Sequence, residues 1–187
     1  MNCFDVKDAL KTIQLLVDTR ERDTKAFRQR VERIELPYKR QKLDFGDYSA
    51  TIIINGAEIS FERFFSIERK MSLDELCMCY GRDRRRFERE FERAKNSNAK
   101  IYLLIENATM ENALNGKYKS KLNKNAFTAS LFAWLARYDC QLIFCKAEST
   151  PRVIREIIYL EIKERLEQED ERLLQQIEGV RNRETTA

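Results

Sequence analysis

Histidine is absent from this chain of 187 residues. Its absence excludes serine and cysteine nucleophiles activated by an imidazole, imidazole general bases, and zinc sites with histidine ligands. Any catalysis must therefore use carboxylates, lysine, arginine, tyrosine, cysteine or a hard metal ion bound by oxygen atoms.

Cysteines with the spacing of a metal or redox motif are also absent. The five cysteines form no Cys-x-x-Cys motif, and the separation of Cys77 and Cys79 does not suit a zinc knuckle. Their odd number argues against a disulfide scaffold, so reduced thiols are the simpler interpretation. The sequence has no signal peptide and no apolar run near the roughly 20 residues of a membrane span. We expect a soluble, cytoplasmic protein with no membrane partner.

Composition predicts a globular chain. Hydrophobic residues make up 43% and charged residues 35%, which is enough apolar surface for a core. The net charge is only +4, so any nucleic-acid surface must come from local basic patches. The length suits one domain with extensions, which we assign as a lead-in at 1–12, a main domain at 13–166 and a charged helical tail at 167–187.

Apolar periodicity predicts an α/β domain with a mixed sheet flanked by helices. Residues 1–12 have no such pattern and are predicted to be loosely ordered. Asn55-Gly56 predicts a tight hairpin within a meander of strands over 43–70, with a bend near 62–63. Trp134 is expected in the core. The other predicted strands are 13–18, 101–105 and 142–145, and the helices are 23–34, 72–79, 83–95, 125–138 and a long one from 149.

Asp47 and the run Glu68-Arg69-Lys70 form the constellation best suited to catalysis. Glu68 and Lys70 share one face of a strand, and Asp47 can fold back beside them. Two carboxylates can hold Mg²⁺ or Mn²⁺, which polarises a phosphate and activates water. Lys70 can orient or help deprotonate that water and offset negative charge. Surface ion pairs on a strand produce the same pattern, so these residues alone leave both interpretations open.

Four short motifs follow one another along the chain. They are Val17-Asp18-Thr19-Arg20-Glu21, then Gly46-Asp47, then Glu68-Arg69-Lys70 with Asp74 four residues on, and finally Gly81-Arg82. In this order the set resembles the nuclease domain of the XPF family of structure-specific endonucleases. The resemblance extends over about residues 13–160.

The resemblance implies a restriction-endonuclease-like core with a long C-terminal helix. It implies a metal-dependent endonuclease that hydrolyses phosphodiester bonds at branched or junction DNA, in repair or recombination, in a bacterial, phage or mobile-element context. Asp47 and Glu68 are then the ligands of Mg²⁺ or Mn²⁺, and Lys70 is the base that positions water. Residues implied to complete the acidic cleft are Asp18, Arg20 and Glu21, with Arg69 and Asp74 in its supporting network.

Two basic segments are candidates for contact with DNA. The first consists of Arg82, Arg84, Arg85 and Arg86 at the start of a helix, where a solvated helix face is the alternative. The second is a loop in which four lysines flank an aromatic residue, where a plain solvated loop is the alternative. Its lysines are Lys117, Lys119, Lys121 and Lys124.

The helix that begins near Pro151 has a broad apolar face. In the resembling family the last helices form a dimer interface, so we expect a homodimer, with an ordinary core helix as the alternative. A non-catalytic DNA-binding scaffold subunit of the same fold and an interaction protein built on this helix are the other functional hypotheses. Within the enzyme class, an exonuclease or a junction resolvase remains open.

Overall fold

A seven-stranded sheet and eight helices make up the part of the chain that the computed structural model describes, residues 4–184, with side chains described for 4–180. The strands are β1 Gln14–Asp18, β2 Tyr38–Gln41, β3 Tyr48–Ile54, β4 Ala57–Ser60, β5 Phe65–Lys70, β6 Lys100–Glu106 and β7 Cys140–Cys145. The helices are α1 Val6–Lys11, α2 Lys25–Ile34, α3 Leu73–Tyr80, α4 Arg84–Asn96, α5 Met110–Leu114, α6 Lys124–Arg137, α7 Thr150–Glu167 and α8 Glu171–Glu184.

The sheet is mixed, and β3 in the middle of its strand order runs against its two neighbours. The strand order is β2-β1-β3-β5-β6-β7, with β4 paired to β3 outside this path. β1 runs parallel to β2, and β5, β6 and β7 run parallel to one another, whereas β3 is antiparallel to both β1 and β5. Tyr48 at the start of β3 pairs with Val17 of β1 and with Ile67 of β5. The start of β3 therefore lies between the ends of its two neighbours.

Two hydrophobic cores cover the two faces of the sheet. One joins β1, β3 and β5 to α1, α2, α7 and α8, and includes the buried Phe27, Ile158 and Ile177. The other packs α3, α4, α5 and α6 on the opposite face and includes Phe87 and the fully buried Trp134. Helices on both faces of a sheet are the layered α/β arrangement that the periodicity predicts.

Hydroxyl side chains cap the first turns of two helices. The hydroxyl of Thr24 accepts a hydrogen bond from Phe27 N at 3.1 Å and begins α2. The hydroxyl of Ser72 accepts from Glu75 N at 3.3 Å and begins α3. Each bond satisfies a backbone donor that the first helical turn leaves unpaired. Ser72 is thus the residue that caps α3.

Several elements differ from the predicted ones. β2 is an edge strand of Tyr, Lys, Arg and Gln with no buried residue, so it lacks the apolar signal on which strand prediction depends. Residues 6–11, predicted to be loosely ordered, form α1, which Asp5 caps and which buries Ala9. α5 has only five residues, too few for a periodic pattern. Residues 43–45 are not a strand, and the predicted bend divides β4 from β5.

The C-terminal region consists of two helices rather than one. α7 ends at Glu167, beside the predicted boundary at 166, and Glu169 with φ 52° lies in the turn that separates α8. Leu173 and Ile177 of α8 are nevertheless buried in the core. Residues 1–3 of the predicted lead-in and 185–187 of the predicted tail lie outside the described residues.

A buried carboxylate anchors α7 to the sheet. Glu161 accepts hydrogen bonds from Lys100 at 2.7 Å, from the hydroxyl of Tyr102 and from Arg165 at 2.9 Å. Burial alone would raise the pKa of Glu161, but the hydrogen bonds from Lys100 and Tyr102 and the nearby positive charges outweigh it and lower the pKa. The ionised carboxylate therefore stabilises this helix-sheet contact.

Over residues 4–184, no helix combines the length and the apolar character that a bilayer crossing demands. The four cysteines of this region, Cys77, Cys79, Cys140 and Cys145, are free thiols, as the unpaired spacing predicts.

Candidate active site

Asp47 lies directly before β3, beside the ends of β1 and β5. Its backbone N–H donates to the carbonyl of Ile67 at 2.8 Å, and its carbonyl accepts the N–H of Asp18 at 2.9 Å. These bonds extend the strand pairing by one residue on each side. The sheet thus brings Asp47 next to Glu68 and Lys70, as the sequence pattern predicts.

Gly46 permits this close approach. Its φ is +73°, a conformation that residues with a Cβ rarely adopt. A Cβ at this position would lie 2.4 Å from Oγ and 2.7 Å from Cβ of Ser66 in β5, well inside contact distance. Glycine before Asp47 is therefore required both by the backbone turn and by the packing against β5.

Asp47, Glu68 and Lys70 border a cavity of about 550 Å³ at the end of β5, which we call the β5 cavity. Five carboxylates and six cationic side chains line it, together with three other residues. The lining residues are Arg20, Glu21, Arg22, Thr24, Ala26, Arg30, Asp47, Glu68, Arg69, Lys70, Met71, Glu75, Arg86 and Glu90. Such a mixture of charges suits a charged substrate and a cation more than an apolar ligand.

The charges of Asp47, Glu68 and Lys70 act strongly on one another. Glu68 is 4% exposed and Lys70 is 7% exposed, and the ammonium of Lys70 contacts Oε1 of Glu68. Burial and then the charge of Glu68 raise the pKa of Asp47 well above its usual range. Burial would lower the pKa of Lys70, but the charges of Glu68 and Asp47 outweigh it and raise the pKa. Lys70 is therefore a cation between two carboxylates.

The carboxylate oxygens of this cluster fit a hard divalent cation whose coordination shell is completed by other ligands. Asp47 Oδ2 accepts the backbone N–H of Arg69 at 2.8 Å, and Oε1 of Glu68 contacts the ammonium of Lys70. One oxygen of each carboxylate therefore has a partner within the protein. No group of three or more Asp, Glu, Cys or His side chains within residues 4–184 is arranged as a metal cage. Mg²⁺ is commonly held by one or two carboxylates with water and substrate phosphate, so two carboxylates suffice.

Asp18 is buried behind the cavity and orients Arg20. Its carboxylate accepts the backbone N–H and the Nε–H of Arg20, each at 2.7 Å, and the N–H of Leu43 at 2.7 Å. Arg20 then extends to Glu90, where Nη2 and Oε1 are 3.2 Å apart. Asp18 thus acts on the cavity through Arg20, which lines it.

Glu21 and Arg69 belong to a second network on the far wall of the cavity. Glu21 accepts from Nη2 of Arg30 at 2.8 Å and from the hydroxyl of Tyr48 at 3.1 Å. Arg69 lies 3.9 Å from Glu21 and donates to Glu106 at 2.9 Å. Glu106 ends β6, so these ion pairs connect the ends of three strands and hold Arg69 in place.

Two carboxylates of the cavity, Glu75 and Glu90, lie outside the four motifs. Glu90 is 7% exposed on α4, and burial and then the charge of Glu68 raise its pKa. Glu75 on α3 accepts the backbone N–H of Met71 at 2.7 Å. In the sequence, Glu90 lies three residues after Phe87 and one before Phe91, on the buried face of an amphipathic helix. A carboxylate on such a face is unusual and indicates a functional site, so this position is the signal by which Glu90 could be found.

The arginine-rich segment divides into separate environments. Arg86 lines the β5 cavity and is exposed. Arg84 packs over the ring of Trp134, with 4.8 Å between its guanidinium carbon and the ring centroid. Arg82 and Arg85 are exposed on the surface. Of the four arginines predicted to contact DNA, Arg86 is therefore the one nearest the candidate active site, and Arg84 has a packing role.

Asp74 contacts the second basic segment rather than the carboxylates of the cavity. Its Oδ1 accepts the backbone N–H groups of Lys119 and Ser120, each at 2.7 Å. The four predicted lysines of this segment are exposed, and they are Lys117, Lys119, Lys121 and Lys124. Asp74, which follows Lys70 in the third motif, therefore contacts a loop about 45 residues further along the chain.

Comparisons with known proteins agree with this architecture. The ERCC4 domain family model matches residues 17–154. XPF from Aeropyrum pernix is similar in fold, with a TM-score of 0.54, 20% identity, and coverage of 79% of this chain and 60% of that chain. XPF from Aeropyrum pernix in complex with DNA is similar, with a TM-score of 0.57, 20% identity, and coverage of 82% of this chain and 66% of that chain.

The chain spans about 60–66% of the length of these two structures. No curated protein matches it. The family match confirms the resemblance predicted from the four motifs, and the two structures confirm the predicted α/β core.

Proposed function

Because this chain belongs to the ERCC4 domain family of XPF-like nucleases, we propose that it is a divalent-metal-dependent DNA endonuclease whose reaction takes place in the β5 cavity. The observation that carries this proposal is the convergence of Asp47, Glu68 and Lys70 in one cavity at the end of β5. The three residues come from two separate family motifs, and the strand pairing of β3 with β5 brings them together.

In this proposal Asp47 and Glu68 hold Mg²⁺ or Mn²⁺. The ion, when bound, supplies Lewis-acid polarisation of the phosphate and a lowered pKa for a nearby water. Lys70 donates hydrogen bonds that orient the attacking water, and its charge offsets the negative charge that develops on the phosphate. Its contact with Glu68 keeps the ammonium at the site before substrate arrives.

Further residues shape the site around this centre. Asp18 and Glu21 complete the acidic cleft, Asp18 by orienting Arg20 and Glu21 by pairing with Arg30 and the hydroxyl of Tyr48. Arg20 and Arg86 line the cavity and carry positive charge toward a bound phosphodiester backbone. The nuclease domain is assigned to residues 13–166, with 1–12 as a lead-in and 167–187 as a helical tail.

DNA is the proposed substrate, with a branched or junction form preferred, in repair or recombination within a bacterial, phage or mobile-element setting. The neighbouring structure described as a complex with DNA supports binding of DNA in this fold. The exposed lysines Lys117, Lys119, Lys121 and Lys124 offer phosphate contacts, which supply most of the sequence-independent affinity for DNA.

Homodimerisation through α7 is a second part of the proposal. Tyr159 and Leu160 on this helix are 41% and 47% exposed. Leu160 and Ile157 also line a groove of about 790 Å³ along α7, away from the β5 cavity. Exposed apolar side chains beside a groove are typical of a surface that another protein covers. Light scattering of the purified protein should give the mass of a dimer, and Leu160→Glu should give that of a monomer.

The decisive experiment compares cleavage of labelled duplex, single strand, 3′ flap, fork and four-way junction. Each substrate is incubated with Mg²⁺, Mn²⁺ or EDTA, using the wild type, Asp47→Asn and Lys70→Ala. We expect metal-dependent cleavage that each substitution lowers about a hundredfold or more, with DNA binding retained. Binding without cleavage of any substrate, unchanged by either substitution, would contradict the catalytic proposal and favour a DNA-binding scaffold.

A further inference from the structure

One carboxylate oxygen links the helix after β5 to a distant basic loop. Oδ1 of Asp74 accepts the consecutive backbone N–H groups of Lys119 and Ser120, each at 2.7 Å. The first turn of α3 does not need this carboxylate as its cap, because Ser72 performs that role. Two adjacent N–H groups directed at one anion form a concave binding arrangement that is worth more than either bond alone.

The loop that Asp74 holds connects α5 to α6 and carries exposed lysines. We call residues 115–123 the lysine loop, after Lys117, Lys119 and Lys121. It has no regular secondary structure, so side chains and turns determine its path. Tyr118 supports it from within, with its ring 5.1 Å from that of Phe127 and its hydroxyl donating to a carbonyl of the same loop at 3.0 Å.

α3 connects this loop rigidly to the candidate active site. β5 ends at Lys70, and α3 begins at Leu73, so Asp74 is four residues from the ammonium in the β5 cavity. The adjacent Glu75 lines the cavity and accepts the backbone N–H of Met71. A displacement of the loop relative to Asp74 would therefore also displace its lysines relative to the reacting phosphate.

We propose that Asp74 is a positioning residue that holds the lysine loop beside the β5 cavity, so that the exposed ammonium groups of the loop meet the DNA backbone. The inference rests on the proposed DNA cleavage for its functional consequence, although the anchoring itself does not. A loop ordered before binding loses less conformational freedom when DNA arrives, which increases affinity without adding a contact. Asp74 acts here as a hydrogen-bond acceptor and not as a charge that binds metal.

The substitution Asp74→Asn distinguishes an acceptor from a charge. Both backbone bonds go to the same oxygen, so an amide that keeps its oxygen in this position retains both. Asp74→Ala removes both. Asp8→Ala is the matched control, because Asp8 is an exposed aspartate on α1, on the opposite face of the sheet.

The anchoring can be measured without any nuclease activity. Trypsin cleaves after lysine, and the Lys119–Ser120 peptide bond includes one of the two N–H groups that Asp74 holds. Limited digestion followed by mass spectrometry gives the rate of cleavage at this bond in the folded protein. We expect Asp74→Ala to raise this rate about tenfold or more, while Asp74→Asn and Asp8→Ala stay close to the wild type.

The functional consequence is measured with a fluorescein-labelled fork DNA and Mg²⁺. We expect Asp74→Ala to raise both the Kd for DNA and the KM about tenfold, with the smaller effect on kcat, and Asp74→Asn to restore both constants. Equal loss of kcat in the Asn and Ala variants would overturn the proposal and assign Asp74 to the charge of the active site. Unchanged trypsin cleavage in Asp74→Ala would overturn the anchoring, whereas faster cleavage with no nuclease activity in the wild type would refute only the proposed function.

Discussion

Replacing Asp47 with asparagine removes one of the two carboxylates whose negative charges act on the ammonium of Lys70. The substitution keeps an oxygen that can accept the N–H of Arg69, which donates to Asp47 at 2.8 Å. It also removes a negative charge from a partly buried position next to Glu68. We therefore expect opposite effects on stability and on activity, because the charge opposes folding and, in the proposed mechanism, serves to hold the cation.

The magnitude follows from the balance of charges around Asp47. Burial and the repulsion from Glu68 disfavour its ionised form more than Lys70 favours it, which is why its pKa is raised. Two unit charges at about 4 Å interact by about 4 kcal/mol at the effective dielectric constant of a protein surface, so attraction and repulsion largely cancel. The remaining penalty is the burial of the charge, and we expect Asp47→Asn to raise the free energy of unfolding by about 1–2 kcal/mol.

The assay is urea unfolding at neutral pH, in EDTA and in excess Mg²⁺. In EDTA the variant should be more stable than the wild type. A ligand that binds only the folded state stabilises it by about 2.7 kcal/mol at a hundredfold excess over its Kd. Only the wild type retains both of the proposed carboxylate ligands, so Mg²⁺ should stabilise it more and reverse the order of stability of the two proteins.

Asp18→Asn is the matched comparison, because the same substitution meets the opposite environment. Both oxygens of Asp18 accept hydrogen bonds, from Arg20 and from the N–H of Leu43. An amide there must turn its NH₂ group toward a donor and leave a buried hydrogen bond unmade, which costs about 3 kcal/mol. A loss of stability in EDTA for Asp47→Asn as large as that for Asp18→Asn would refute the view that Asp47 opposes folding.

Three further predictions concern other parts of the molecule. Gly46→Ala should lower the free energy of unfolding by at least about 2 kcal/mol in urea titrations and reduce cleavage, because its Cβ meets Ser66; a fully stable variant would contradict this. Glu161→Gln should cost about 1–2 kcal/mol at pH 7, since hydrogen bonds lower the pKa of Glu161 despite burial. That cost should shrink in the same assay as the pH falls below the ordinary glutamate pKa of about 4.3, because the wild-type carboxylate, with its lowered pKa, is protonated only there; a constant cost would be inconsistent. Replacing Lys119 and Lys121 with alanine should weaken DNA binding and reduce the slope of log Kd against log salt by roughly 2, measured by fluorescence anisotropy, and an unchanged slope would exclude phosphate contacts.

The parts of the fold that sequence predicts are those with strong local patterns. The apolar run before Asp18, the hairpin at Asn55-Gly56 and the apolar helix face around Trp134 each have a periodicity or turn residue of their own. β2 does not, because it pairs at the edge of the sheet through polar residues, and nothing in Tyr38–Gln41 alone indicates a strand. Its existence depends on the free edge of β1, which is a property of the tertiary structure.

In the candidate site, too, the residues with a local sequence pattern could be predicted and the others could not. Glu68 and Lys70 could be assigned to one face by strand alternation, and the Asp47 turn could be assigned by its glycine. Glu90 is 70 residues from Arg20, and no local pattern connects them. The hydrogen bonds of Asp74 to the lysine loop are equally remote in sequence, so the motif could identify the aspartate but not its partner.

Strand direction explains why this site forms at the centre of the sheet. In parallel neighbours the side chains at the carboxyl ends lie along one edge, whereas the start of an antiparallel strand meets the ends of both neighbours. β3 is that strand, so Asp47 before it lies between Asp18, which ends β1, and Glu68 near the end of β5. Reversing β3 would carry Asp47 to the opposite edge, about 20 Å away for a strand of this length. The carboxylate pair therefore depends on one strand, β3, that runs against both of its neighbours, and Gly46 permits the backbone turn that leads into it.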